Sequence, residues 1–122
     1  VEEEGVNEKM AEFINPIAML GDQMTKFTTE IGFKGMQNPD EVGAAAVDYL
    51  RVAGHLVFGY LFARMAQVAL REIAAGNTDP FYGAKLQTAR FYFAKLFPET
   101  ATLMRTARAG SKVLMDTDLA LA

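Results

Sequence analysis

The stretch from Asp40 to Ala75 constrains this chain more than any other feature: of its 36 residues, 24 are Ala, Val, Ile, Leu, Met, Phe or Tyr. A helix with one face on a core needs only about three apolar positions in seven. Two-thirds apolar implies burial around most of the circumference, and so neighbours on most sides. Gly43, Gly54 and Gly59 lie inside this stretch, each costing roughly 1 kcal/mol against Ala in a helix interior. Close approach of another helix is the usual compensation. Two partner helices from the same chain would cover only part of such a surface. The remainder is expected to meet another subunit or another domain, with Val57 and Leu61 buried.

Helix boundaries are marked by local chemistry. Asn38-Pro39-Asp40-Glu41 and Asp79-Pro80 each place a capping oxygen before a proline whose missing N–H costs nothing at a first helical position. The acidic pair Asp40 and Glu41 suits the positive end of a helix dipole. Gly32, Gly35, Gly76-Asn77 and Gly110 are stop signals, because glycine takes the left-handed conformation that ends helices. These marks predict three helices over 6–31, 39–75 and 80–109. No stretch alternates like a strand, so the class is all-α: an up-down bundle of three long antiparallel helices in a single domain. Pro16 is expected to kink the first helix, and Pro98 to kink or split the third. The tail from Ser111 onward is expected as a short turn of helix or an arm. At 1.5 Å per residue the second helix would be about 55 Å long.

Most chemistry is excluded by what the sequence lacks. The chain carries 12 basic and 15 acidic residues, so broad phosphate binding and nucleic acid are not indicated. Without Cys there is no disulfide framework, thiolate metal site or thiol nucleophile. His55 is the sole histidine and has no Glu-x-x-His companion, so it reads as a polar group hydrogen-bonded within a helix interface rather than as a metal ligand. There is no Gly-x-Ser-x-Gly element and no glycine-rich phosphate loop. The uncharged run 52–63 is shorter than the ~20 residues of a membrane span. The acidic start, Val1 to Gly5, does not resemble a signal peptide, and a cytoplasmic setting is expected. Val1 in place of an initiator Met points to an excised or processed segment.

Asp48, Arg51, Arg64 and Arg71 on the second helix are expected to pair with charges on its neighbours. The third helix is basic at Lys85, Arg90, Lys95, Arg105 and Arg108, and pairing with Glu8, Glu12 and Asp22 of the first helix is the expectation. Tyr82, Leu86, Ala89, Phe93 and Leu96 follow helical spacing and are expected in the core.

Several of these strings resemble a known family. Asp48-Tyr49-Leu50-Arg51, Gly54-His55 and Ala63-Arg64-Met65-Ala66 look like the C-terminal extension domain of large acyl-CoA dehydrogenases. Phe81-Tyr82, Lys85-Leu86, Thr88-Ala89-Arg90-Phe91-Tyr92, Pro98-Glu99 and Ala109-Gly110 continue the likeness. That family includes acetyl-CoA-dehydrogenase-like and 3-methylmercaptopropionyl-CoA dehydrogenase enzymes. The resemblance implies an accessory helical domain at the end of an FAD-dependent flavoenzyme that removes hydrogens from the α and β carbons of an acyl-CoA thioester. The catalytic base and the flavin contacts would then lie in preceding domains, with no catalytic, cofactor or metal residue on this segment. Candidate interface or interdomain contacts are Asp48, Tyr49, Arg51, His55, Leu61, Arg64, Lys85, Arg90 and Tyr92. A contribution to a flavin or substrate pocket would come from Tyr49, Arg51, His55 or Arg90. The implied partners are the preceding dehydrogenase domains and further copies in a homo-oligomer. The alternative is a stand-alone module that oligomerises or holds an apolar acyl ligand in its bundle.

Overall fold

A computed structural model describes residues 7–116. The chain is all-α, with no strand among the described residues. Helix α1 spans Ala11–Gln37 and α2 spans Asp40–Ala74. The third long element is composite: α3 Pro80–Phe91, a π-helical turn Tyr92–Leu96, and α4 Glu99–Ala107. A one-turn helix α5, Lys112–Met115, follows. The expected start of the first helix at Val6 and the end of the tail, 117–122, lie outside the described residues.

The caps follow the sequence chemistry. Asp79 Oδ1 accepts from the Phe81 N–H at 2.9 Å, ahead of Pro80 in the first turn of α3. Asn38 Oδ1 accepts from the Asp40 N–H at 3.1 Å and opens α2. Gly76 and Gly110 are left-handed, with φ of 90° and 84°. The expected stop at Gly32 and Gly35 does not occur, and α1 continues to Gln37. The actual break is Asn38, extended at φ −145°, because a residue before proline is driven out of the α region. Gly35 serves closeness instead: a Cβ there would lie 2.5 Å from Val42 Cγ2, so any larger residue at this α1–α2 corner would force the Val42 side chain to shift. Helix α1 runs through Pro16 without a break.

Pro98 acts as anticipated, by an identifiable route. Proline cannot donate to the ladder and clashes with the carbonyl one turn back. The helix responds by widening, with the Phe97 N–H bonding the Tyr92 carbonyl five residues earlier at 2.8 Å. One residue is thereby added to the turn, and Tyr92 and Phe97 both reach the core at 4 % and 7 % exposure. Leu96, expected in the core, is 48 % exposed. The wide turn moves the register by one position and hands its place to Phe97.

Helix α2 is central. Its buried positions are Ala45, Val52, Gly59, Ala63, Ala66, Ala69 and Leu70, nearly all small. They let α1 pack on one side and the composite third helix on the other. Phe13, Leu20, Met24 and Phe27 of α1, with Leu86, Tyr92, Phe97 and Met104 of the third helix, supply the bulk of the core. Tyr49, Leu56 and Phe62 also pack against this core, but other bulky residues of α2 point the other way. Leu50 is 74 % exposed, and Val57 and Leu61, expected to be buried, are 59 % and 53 % exposed within the chain. Only 28 % of the most apolar 18-residue window of α2 is buried. The whole helix is long and apolar enough to cross a membrane by length and composition, which the shorter run 52–63 did not indicate.

Of the three glycines expected to permit close approach, Gly59 does so: a Cβ would meet the Phe97 ring at 3.2 Å and Ile17 at 3.4 Å. Gly43 and Gly54 have nothing within 4 Å. Gly59→Leu should therefore destabilise the chain by about 1–3 kcal/mol through overpacking. Gly54→Ala should instead stabilise it by about 0.5–1 kcal/mol, since a mid-helix glycine is replaced in open space. Urea denaturation of the two variants reads both signs.

Candidate functional site

Two features stand out where α2 meets the π turn. One is polar and closed; the other is apolar and open.

The polar feature joins two residues of α2 spaced four apart, Arg51 and His55, to Tyr92 and Glu99 on the composite helix, seven apart. Both spacings put a pair on one helix face. His55 Nε2 donates to Glu99 Oε2 at 3.0 Å, and Arg51 Nη2 reaches Glu99 Oε1 at 2.7 Å. His55 Nδ1 lies 2.8 Å from the Tyr92 hydroxyl, which also donates to the His55 backbone carbonyl at 3.1 Å. With the Tyr92 proton on Nδ1, the ring accepts there and donates from Nε2 to Glu99; with it on that carbonyl, Nδ1 donates to Tyr92, and Nε2 donates to Glu99 only in a ring protonated on both nitrogens. Neither ring nitrogen is left without a partner. Tyr92 stacks on Phe62 at a centroid distance of 4.5 Å, closing the inner side of the cluster.

The electrostatics follow this geometry. The hydrogen bond from His55 holds the Glu99 carboxyl below the usual range, opposed by desolvation and assisted by the Arg51 charge. Burial, then the negative charge of Glu99, pushes Tyr92 up to about 12. At the other end of α2, Ser111 donates through its hydroxyl to Glu41 Oε1 at 2.7 Å. That bond lowers the Glu41 carboxyl and ties the C-terminal segment down.

The apolar feature is the outer face of α2. Val47, Leu50, Val57, Phe58, Leu61 and Val68 are all more than half exposed. At about 3.6 residues per turn they fall on one side of the helix and form one stripe. A cleft of about 350 Å³ opens beside it, lined by Arg51, Gly54, His55, Phe58, Leu96 and Glu99. Another of about 340 Å³ lies further along, among Met65, Val68, Ala69, Phe81, Tyr82 and Lys85.

The sequence-derived candidates divide between these features and the rest of the bundle. Arg51, His55 and Tyr92 come together in the polar cluster. Leu61 and Arg64 are exposed on the outer side of α2, and Arg64 has no ion-pair partner among the described residues. Lys85 sits over the Phe81 ring at 5.2 Å, at the mouth of the second cleft. Asp48 accepts from Thr106 at 2.9 Å, a hydrogen bond where an ion pair was expected. Tyr49 bonds Thr28 at 2.8 Å, and Arg90 pairs with Glu12 at 2.7 Å. The other expected ion pairs of the third helix differ: Asp22 pairs with Lys26 in its own helix, Arg108 pairs with Glu30, and Glu8 pairs with nothing among the described residues. Glu99 is the residue sequence reasoning missed. Its place just after Pro98 was visible, but its partner His55 lies 44 residues away and no local signal joins them.

No buried side-chain nitrogen or oxygen among the described residues lacks a hydrogen bond. No cluster of three or more His, Asp or Glu that would hold a metal occurs among them. Of the polar groups at the first cleft, Arg51 uses one guanidinium nitrogen on Glu99, and His55 bonds both Tyr92 and Glu99. Fold and site together define a helical bundle with an exposed apolar face on α2. The family described as "Acetyl-CoA dehydrogenase C-terminal like" matches residues 1–118, and the chain belongs to it. No curated protein matches the sequence.

The shifts at Glu99 and Tyr92 fix the pH dependence. Glu99 is more acidic in the folded state, so its contribution is full above the ordinary glutamate value of 4.5 and is lost as pH falls through the lower folded value. The stability difference between the native chain and Glu99→Gln should shrink over that acid window in denaturant titrations. Tyr92 works in the opposite sense: stability should fall as pH rises from 10 toward about 12, a slope that Tyr92→Phe should flatten.

Proposed function

We propose that this chain is the accessory C-terminal helical domain of an FAD-dependent acyl-CoA dehydrogenase. It packs against the preceding domains or a neighbouring subunit and performs no catalysis itself. The observation that carries this reading is the row of bulky apolar residues that α2 leaves exposed, Leu50, Val57, Phe58 and Leu61 among them. A contiguous exposed apolar patch of this kind marks an interaction surface. Family membership supports the parent enzyme, and FAD belongs to that parent rather than to this segment. The same reading includes a homo-oligomeric, cytoplasmic enzyme, with the polar cluster bracing the docking face. An acyl ligand inside the bundle is disfavoured by an interior in which Ala45, Ala63, Ala66 and Ala69 bring the helices into contact.

Leu61→Asp in the full-length gene product tests this. Leu61 is 53 % exposed in the chain, so the domain should keep its helical circular dichroism. The assembled enzyme should lose thermal stability or dissociate, read by calorimetry and light scattering. An unchanged melting temperature and an unchanged assembly mass would count against the outer face of α2 as a docking surface.

A further inference from the structure

We infer that His55 and Tyr92 form a proton-operated clamp between α2 and the composite third helix. When Nδ1 of the His55 ring takes up a proton, its hydrogen bond with Tyr92 reverses and the Tyr92 hydroxyl closes on the His55 carbonyl. The same proton makes the hold of His55 on Glu99, and so on α4, firmer.

The number of hydrogens available sets this behaviour. Three contacts meet at His55: Nδ1 with the Tyr92 hydroxyl at 2.8 Å, that hydroxyl with the His55 carbonyl at 3.1 Å, and Nε2 with Glu99 Oε2 at 3.0 Å. Tyrosine has one hydroxyl hydrogen to give, and a carboxylate has none. A neutral ring with its hydrogen on Nε2 bonds Glu99 and accepts from Tyr92, which leaves the carbonyl contact without a hydrogen. A neutral ring with its hydrogen on Nδ1 turns a bare Nε2 toward a carboxylate, and that bond is lost. The ring protonated on both nitrogens makes all three bonds at once. It also sets a charged donor on the Glu99 carboxylate, the stronger form of that bond. The His55 side chain is 13 % exposed, so water is a poor substitute for a missing partner.

The groups around the ring make this the work of one proton. Histidine is the side chain whose charge changes between about pH 5 and 8. Over that range Glu99 stays ionised, because the hydrogen bond from His55 holds its carboxyl below the usual range. Tyr92, pushed up to about 12 by burial, keeps its hydroxyl hydrogen. Two charges face the ring: the carboxylate of Glu99 from α4, and Arg51 from one turn earlier on α2, which reaches Glu99 Oε1 at 2.7 Å. The acidic residues of α1 are engaged elsewhere, Glu12 with Arg90, Asp22 with Lys26 and Glu30 with Arg108. Lys95 of the π turn is exposed and does not line the cleft at His55.

The test is nuclear magnetic resonance on the full-length gene product, isotope-labelled at its histidine ring nitrogens and tyrosine Cζ. The two signals are assigned by their loss in His55→Gln and Tyr92→Phe. From about pH 8 down to about pH 5, the His55 ring should pass from the form protonated on Nε2 alone to the form protonated on both nitrogens. The Tyr92 Cζ signal should move with the same midpoint, and should stay flat over that range in His55→Gln. Backbone hydrogen exchange of α4, corrected for the intrinsic effect of pH, should be slowed about fivefold at the acid end, the factor for about 1 kcal/mol or one net hydrogen bond. His55→Gln should abolish that difference, and His55→Asn serves if His55→Gln does not fold. A neutral ring carrying its hydrogen on Nδ1 overturns the clamp, as does a ring that keeps one protonation state across the range. So does a Tyr92 signal that does not follow His55, or α4 exchange that is equal or faster at the acid end.

Discussion

The structure depends on one arrangement, the distribution of bulk around α2. Ala45, Ala63, Ala66 and Ala69 face inward and are at most 6 % exposed, so α1 and the composite third helix approach the α2 backbone closely. Apolar stabilisation scales with buried area at roughly 25 cal/mol per Å², and alanines contribute little of it. The area comes instead from the neighbours, through Phe13, Leu20 and Phe27 on one side and Tyr92 and Phe97 on the other. Among the bulky apolar side chains of α2, Val52 and Leu70 are buried and Tyr49, Leu56 and Phe62 pack against the core, while Leu50, Val57, Phe58 and Leu61 stay more than half exposed.

The register of the third helix follows from a second cause. Pro98 prevents a regular α-helix, the π turn adds a residue, and Tyr92 and Phe97 then both face α2. The Phe97 ring needs the bare backbone at Gly59, while the Tyr92 hydroxyl needs His55. The first contact sets the depth of packing; the second, being directional, sets rotation. Glu99 then closes the network, and fully satisfied polar networks of this kind rigidify what they join. Such π turns within α-helices are often found at functional sites. Here the turn packs against α2 through Tyr92 and Phe97.

How much of this was legible in the sequence depends on whether the cause was local. The all-α class, the Asp79–Pro80 and Asn38 caps and the left-handed Gly76 and Gly110 follow from chemistry within a few residues, and all could be read directly. Gly35 was misread because its role is to pass Val42, a contact that composition does not announce. Leu96 was assigned to the core because an uninterrupted 3.6-residue period was carried through a turn that is wider. His55 was recognisable as a hydrogen-bonded interface residue, but Glu99 was not recognisable as its acceptor, since 44 residues separate them. The excess of apolar residues in α2 was plain from the sequence. Which face is open was not, because that depends on where two other helices choose to pack.

The two features of the candidate site argue in the same direction by opposite means. A catalytic centre keeps polar groups poised for a reactant, and their unmet hydrogen-bonding capacity is part of how it works. In this chain the polar groups are satisfied internally: Arg51, His55, Tyr92 and Glu99 bond one another, and Glu41 bonds Ser111. The unmet capacity is apolar, along Leu50, Val57, Phe58 and Leu61. Water already satisfies an exposed polar group, whereas an exposed apolar face gains free energy only by being covered. The closed polar cluster and the open apolar stripe thus share one helix, the first satisfied within the chain and the second left to solvent.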